Sequence, residues 1–107
     1  MDENRRYEVV FTENATRDME AKAEHIAWRF FDPRLAEAWY TRLTADMQKD
    51  LSTFPYKFQL YDAPPWRERG IRLYLSRSDV VLYRVDDVRS RVYIEAVYTK
   101  GKNLNEA

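Results

Sequence analysis

The spacing of apolar residues changes near Gly70, and this change constrains the fold more than any other feature of the 107-residue sequence. Before Gly70, over residues 15–51, apolar side chains recur every three or four positions, as they do along one face of a helix. After it they alternate with polar residues, as in a half-buried strand. The sequence therefore predicts a helical layer followed by a sheet, each burying its apolar surface against the other.

The helical pattern divides into two stripes at Asp32-Pro33. Asp is a good N-cap and Pro is tolerated in the first turn, so this pair ends one helix and begins the next. Thr12 is the expected N-cap of the first helix, and Phe54-Pro55 ends the second. The stripes are Ala15, Met19, Ala23, Ile26 and Phe30, then Leu35, Trp39, Leu43, Met47 and Leu51. The short connection predicts an αα-hairpin of two core-facing helices.

Four segments are predicted as strands, namely residues 7–11 before the helices and residues 71–76, 80–85 and 91–98 after them. Short turns join the last three, which predicts a three-stranded antiparallel meander packed on the hairpin. Residues 7–11 are expected to add an edge strand to this antiparallel sheet, because an isolated strand would leave its backbone unpaired. Residues 56–69 show no period and read as an irregular connection. The predicted class is α+β, in a single domain spanning residues 1–107.

The sheet is expected to bury one face against the hairpin. The residues assigned to the buried set are Ile71, Leu73, Val81, Tyr83, Val92 and Ile94. Because residues 80–85 do not alternate, a β-bulge that shifts their phase is the open alternative.

Composition excludes several kinds of chemistry. The chain has no cysteine, which removes disulfides, thiolate metal sites and cysteine nucleophiles. Its one histidine, His25, argues against a histidine zinc site or a Ser-His dyad. No apolar run approaches the roughly 20 residues of a membrane span, and no signal peptide is visible. We therefore expect a cytoplasmic protein that uses no cofactor and no metal.

The order of strand, αα-hairpin and meander, together with local sequence, resembles the RelE/ParE superfamily of bacterial toxins from type II toxin–antitoxin pairs. The matching text is residues 7–12 with Ala15 and Asp18, Asp32-Pro33 with Ala36, Trp39 and Leu43, Phe54-Pro55, and residues 69–72, 81–86 and 92–97. The resemblance covers residues 6–103. The long helical hairpin is more similar to the ParE branch than to the RelE branch.

The resemblance implies a small growth-inhibiting toxin that a cognate antitoxin holds inactive by wrapping its surface. RelE-like members cleave mRNA on the ribosome. ParE-like members, associated with plasmid stabilisation, inhibit DNA gyrase and are not enzymes. A homodimer, or a heterotetramer with the antitoxin, is the assembly that such a toxin could form.

Cleavage of RNA by its own 2′-hydroxyl needs a base, an acid and cations around the phosphate. The positions that match the family pattern for this role are Arg72, Arg84, Tyr98, Lys100 and Lys102. The pattern is incomplete, because Val81 stands where the ribonuclease branch usually has an arginine. Arg72 and Arg84 are alternatively surface residues paired with acidic side chains across the sheet.

Charge favours a protein target. The 18 Lys and Arg residues are balanced by 18 Asp and Glu residues, whereas a ribosome-bound ribonuclease should be basic. We therefore predict a ParE-like toxin that contacts a protein such as gyrase through Tyr98, Lys100 and Lys102. A RelE-like mRNA endonuclease is the alternative, and a degenerate member that retains only antitoxin binding is a third possibility.

Large aromatic residues are too numerous for one hairpin face to bury. Trp28 and Phe31 lie beside the first stripe, and Tyr40 lies beside the second. An antitoxin segment or a second copy of the chain would cover such residues. We assign Trp28, Phe31 and Tyr40 to antitoxin binding.

Overall fold

A computed structural model describes residues 5–101 of the chain. Its elements in order are β1 (Glu8–Phe11), α1 (Glu13–Phe30), α2 (Pro33–Thr53), a 3-10 helix (Arg67–Arg69), β2 (Arg72–Ser76), β3 (Asp79–Asp86) and β4 (Arg91–Thr99). The predicted order of edge strand, helical hairpin and three-stranded meander is confirmed. Neither helix is long and apolar enough to cross a membrane.

Both helices begin at the predicted caps. The Thr12 hydroxyl accepts a hydrogen bond from the backbone N–H of Ala15, and the Asp32 carboxylate accepts one from Arg34 at 3.0 Å. α1 ends where Phe31 adopts a left-handed backbone with φ of 52°, an uncommon conformation for a residue other than glycine. The chain reverses there and starts α2 at Pro33, which forms the αα-hairpin.

The four strands form one sheet in the order β1-β4-β3-β2. β2, β3 and β4 are antiparallel, as predicted, but β1 pairs in parallel with β4, with Val9 opposite Val92. The expectation of an antiparallel sheet throughout is therefore wrong at β1. The reason lies in the path of the chain between these two strands. α2 returns the chain to the start of β1, where the Tyr7 N–H donates to the Ser52 carbonyl at 2.8 Å. β2 then runs in the direction of β1, and two turns restore that direction in β4.

One face of the sheet packs on the hairpin, as expected. Val81, Tyr83, Val92 and Ile94, four of the residues assigned to the buried set, lie in this core. The helices contribute the buried side chains Ala15, Met19, Leu43, Met47 and Leu51 from the two predicted stripes.

The other face of the sheet is also covered. Ile71 and Leu73 pack here with Val80, Leu82 and Ala96, so their assignment to the hairpin side is wrong. Tyr61 and Trp66, from the irregular connection, cover this second cluster. β3 fails to alternate because both of its faces are buried.

A β-bulge lies in β4, opposite residues 80–85, the segment for which the sequence left a β-bulge open. Leu82 pairs with Ala96, but the next residue, Tyr83, pairs with Ile94, so Glu95 is an extra residue in β4. Before the bulge Ile94 faces the hairpin, and after it Val97 does so. The bulge therefore turns Ala96 towards the outer face of the sheet.

A buried carboxylate joins the hairpin to the sheet. Asp79, at the start of β3, is 1% exposed. Its oxygens accept hydrogen bonds from the Lys22 ammonium, from Trp39 Nε1 at 3.0 Å and from the Arg42 guanidinium at 3.1 Å. The sequence placed Asp79 in a turn; in the structure it binds α1, α2 and β3 together.

Asp79→Ala should lower the free energy of unfolding by about 3–5 kcal/mol, because Lys22 and Arg42 would lose the carboxylate that balances their part-buried charges. Asp62→Ala is the matched control, since it breaks an exposed ion pair with Arg67 and should cost less than about 1 kcal/mol. Urea denaturation of both variants measures the difference. Equal losses would contradict a central role for Asp79.

Candidate functional site

The outer face of the sheet carries a cleft of about 370 Å³ between the β3–β4 surface and the 3-10 helix. Its lining residues are Asn14, Trp66, Arg69, Ile71, Leu82, Arg84, Glu95, Ala96 and Tyr98. Two of the predicted ribonuclease positions, Arg84 and Tyr98, therefore come together here. We call this feature the outer cleft.

Arg84 is held by its neighbours on β4. Its Nε donates to the Glu95 carboxylate at 2.8 Å, and its guanidinium lies 4.2 Å from the centre of the Tyr93 ring. Arg84 is thus paired with an acidic residue across the sheet, which is the alternative that the sequence left open. A phosphate bound at Arg84 would have to compete with the carboxylate of the bulge residue.

Tyr98 closes the end of the outer cleft. Its ring packs against the second apolar cluster, which includes Ile71 and Leu82. Burial raises the pKa of Tyr98, and the nearby Asp18 carboxylate and Tyr61 raise it further. The raised pKa favours the protonated hydroxyl and disfavours the phenolate that a general base would need.

Arg72 lies on the opposite face of the sheet from Arg84. It pairs with Tyr83 across β2 and β3, so both side chains point to the same side. Its guanidinium donates to the Phe58 carbonyl at 2.6 Å and lies 4.9 Å from the centre of the Tyr56 ring. The structure thus separates Arg72 from the other candidate residues.

The two tail lysines are placed differently. The Lys100 backbone N–H donates to the Ser78 carbonyl at 2.6 Å, which continues the pairing of β4 past Thr99, and the Lys100 side chain is exposed. Lys102 lies outside the described residues. Lys100 therefore presents its ammonium at the end of the sheet, two residues beyond Tyr98.

Arg69 and Trp66 also line the outer cleft, although neither was predicted to be a site residue. The Arg69 guanidinium lies 5.7 Å from the centre of the Trp66 ring, and no carboxylate among residues 5–101 lies within 4.0 Å of it. Gly70, with φ of 73°, ends the 3-10 helix and directs the chain into β2. In the sequence, the glycine after Arg69 was the one indication that the chain turns here, because glycine readily adopts a left-handed backbone.

The tip of the hairpin projects past the sheet. Lys22 and Trp39 contact Asp79 at the start of β3, and the turns beyond them have no strand beneath. Trp28 and Phe31, assigned to antitoxin binding, are 73% and 88% exposed there. Phe30 and Leu35, expected in the core stripes, are also exposed, and that expectation is wrong. We call these four exposed residues the hairpin tip.

Tyr40 lies farther along α2 than the hairpin tip. Its ring meets that of Trp39 edge-on, with 6.2 Å between the ring centres, and its remaining surface is partly exposed. The three residues assigned to antitoxin binding therefore share the hairpin but do not form one contiguous aromatic cluster.

No protein-family model matches the sequence, and no curated protein matches it either. Solved structures do. The RelBE2 toxin–antitoxin complex from Mycobacterium tuberculosis aligns with a TM-score of 0.64 and 23% identity, over 95% of this chain and 100% of that one. The chromosomal ParDE toxin–antitoxin system of P. aeruginosa aligns with a TM-score of 0.70 and 17% identity, over 91% of this chain and 99% of that one.

These likenesses identify the fold. The chain has the α+β fold of the RelE/ParE toxins, as the sequence resemblance implied. RelE-type and ParE-type proteins both match over almost the whole chain, so the fold alone does not distinguish a RelE-like protein from a ParE-like one.

Tyr98 should ionise above the value of 10.0 that an unperturbed tyrosine shows, because burial and Asp18 both disfavour the phenolate. Asp18→Asn should move the pKa of Tyr98 back towards that value, since it removes a negative charge. NMR titration of ring-labelled tyrosines, with Tyr98→Phe to assign the signal, measures both. A Tyr98 that ionises below 10.0 would show that the environment activates it.

Proposed function

We propose that this protein is the toxin of a type II toxin–antitoxin module, that it acts ParE-like on a protein target such as DNA gyrase, and that a cognate antitoxin neutralises it. The observation that carries the ParE-like reading is the pairing of Arg84 with Glu95 in the outer cleft. The Glu95 carboxylate already pairs with the Arg84 guanidinium, which an RNA phosphate would need as its partner.

The distribution of the other candidate residues supports the same reading. Arg72 faces the hairpin side of the sheet, away from Arg84 and Tyr98. The pKa of Tyr98 is raised, which disfavours formation of the phenolate that a general base would need. The net charge of zero also gives little general attraction to RNA. Contact with a protein needs none of these groups to perform acid–base chemistry.

A specific observation favours the alternative, a RelE-like mRNA endonuclease. Arg69 is a cation without an acidic partner among residues 5–101, and it shares the outer cleft with Tyr98 and Trp66. Aromatic rings stack on bases and an arginine binds phosphate, so this trio has groups suited to an unpaired nucleotide. Tyr98 would then act as the general acid.

Expression in a bacterium separates the two functions. A ParE-like toxin should produce filamentous cells and gyrase-dependent DNA breaks, with mRNA intact. An endonuclease should block translation and, in a purified system with ribosomes, cut mRNA; Tyr98→Phe should then slow cleavage by roughly 10²–10⁴-fold. Cleavage of mRNA without DNA damage would overturn the ParE-like proposal, and normal growth would indicate a member that retains only antitoxin binding.

We expect Tyr98, Lys100 and Lys102 to contact the target. Reversing the charge of the lysines tests this expectation better than deleting the C-terminal segment. Removing residues 99–107 would also remove the pairing of Thr99 with Asp79 and the Lys100 hydrogen bond to Ser78. The double substitution Lys100→Glu and Lys102→Glu should abolish growth inhibition, because the altered charges oppose the positive field at the sheet's end. Lys49→Glu, on the exposed side of α2, is the control that should remain toxic.

The aromatic residues of the hairpin tip should contribute to antitoxin binding. Phe31→Ala or Trp28→Ala should weaken binding of the antitoxin by roughly 30-fold or more, as for an interface hot spot. Because both side chains are exposed, thermal stability should change little. Calorimetry against a purified cognate antitoxin measures the binding, with the exposed Val88→Ala as the control. Loss of stability without loss of binding would assign both residues to the core.

A further inference from the structure

A second and larger cavity lies at the other end of α2 from the hairpin tip. It has a volume of about 580 Å³, within the range of pockets that bind ligands. Its lining residues are Arg5, Tyr7, Thr53, Phe54, Pro55, Tyr56, Lys57 and Asp87. We call it the basal pocket, because it lies where α2 ends beside the start of β1 and the turn between β3 and β4.

Aromatic side chains form the walls of the basal pocket. Tyr7 is buried, whereas Phe54 and Tyr56 are exposed at the mouth. The backbone between them is fixed, because the Tyr83 hydroxyl donates to the Pro55 carbonyl at 2.5 Å. This hydrogen bond ties the turn after α2 to β3, and the pocket keeps apolar surface open to solvent.

Asp87 holds the walls in place. Its carboxylate accepts hydrogen bonds from the Tyr56 hydroxyl at 2.6 Å and the Tyr7 hydroxyl at 2.8 Å, and the Arg5 guanidinium lies 3.6 Å away. The two tyrosine hydrogen bonds hold the pKa of Asp87 below its usual value. Groups of the pocket itself thus satisfy the negative charge of Asp87, which leaves it little capacity to attract a cation.

Lys57 supplies a positive charge that, unlike the negative charge of Asp87, is not satisfied by other groups of the pocket. Its ammonium lies 5.7 Å from the centre of the Phe58 ring, and no carboxylate of residues 5–101 lies within 4.0 Å of it. With Arg5, the pocket has two cations against one anion. Its electrostatic preference is therefore for an anionic group beside an apolar one.

We propose that the basal pocket binds an aromatic side chain of a protein partner, in a segment where carboxylates flank that side chain. The cavity takes the ring between Phe54 and Tyr56, and Lys57 pairs with a flanking carboxylate. A chain segment fits better than a small acid, because apolar surface remains open at the mouth of the pocket, where Phe54 is 57% and Tyr56 is 45% exposed. The proposal concerns a surface separate from the outer cleft and does not depend on which target the protein inhibits.

The test is an NMR titration of the ¹⁵N-labelled protein with blocked tripeptides. The probes are Glu-Phe-Glu, its neutral form Gln-Phe-Gln, its charge-reversed form Lys-Phe-Lys, and Glu-Ala-Glu, which lacks the ring. Glu-Phe-Glu should shift the amides of residues 53–57 and 87–88 with saturation. It should bind about tenfold or more tightly than Lys-Phe-Lys and Glu-Ala-Glu, because each of these loses one of the two contacts.

Two variants separate the contacts. Lys57→Gln should remove the preference for Glu-Phe-Glu over Gln-Phe-Gln, while Phe54→Ala should weaken both peptides. Phe31→Ala, which removes an equally large exposed aromatic group from the hairpin tip, should leave both affinities unchanged. The ¹⁵N spectrum of each variant reports directly that it is folded.

Three results would overturn the proposal. One is tighter binding of Lys-Phe-Lys, which would mean that Asp87 attracts cations. The second is a set of shifts spread over the surface without saturation. The third is phenylacetate binding as tightly as Glu-Phe-Glu, which would make the pocket a site for a small aromatic acid. None of these readouts involves toxicity, so failure here is distinguishable from failure of the proposed toxin function.

Discussion

The shared carboxylate of Asp79 is the interaction on which the arrangement of the two layers depends. Apolar packing between a hairpin and a sheet is not directional, and it leaves the helices free to slide. Three donors, from Lys22, Trp39 and Arg42, converge on one buried acceptor and remove that freedom. Arg42 also donates to Ser76 at 3.1 Å, which extends the same connection to the end of β2.

The position of this connection decides which parts of the hairpin become core and which become surface. Asp79 begins β3 at one end of the sheet, so the turns of α1 and α2 beyond Lys22 and Trp39 project past the sheet. Their apolar stripes continue in sequence, but they have no strand to pack on. The exposed aromatics of the tip are therefore a direct result of the offset between the hairpin and the sheet, which Asp79 fixes.

Local chemistry explains what the sequence could predict. Caps at Thr12 and Asp32, two helical stripes, the alternating residues of β1, β2 and β4 and the continuous apolar run of β3 identify both helices and all four strands. The 3-10 helix at Arg67–Arg69 was not predicted. The direction of β1 depends on where α2 delivers the chain, and the outward facing of Ile71 depends on the cover provided by Trp66. Both are tertiary facts that no short segment encodes. For the same reason Arg72 and Arg84 appeared equivalent in sequence, whereas strand register places them on opposite faces.

The parallel pairing of β1 with β4 has a consequence for how the chain folds during synthesis. Glu8 in β1 lies opposite Arg91 in β4. β1 is the first strand to be synthesised and β4 is the last, so β1 cannot pair until β4 has left the ribosome. The helical hairpin can form early from local contacts, yet the sheet that covers its apolar face is finished only when β4 emerges. Until then the nascent hairpin exposes its core stripe. A segment that binds the hairpin could therefore reach it during synthesis. At that stage neither the sheet nor the outer cleft has formed.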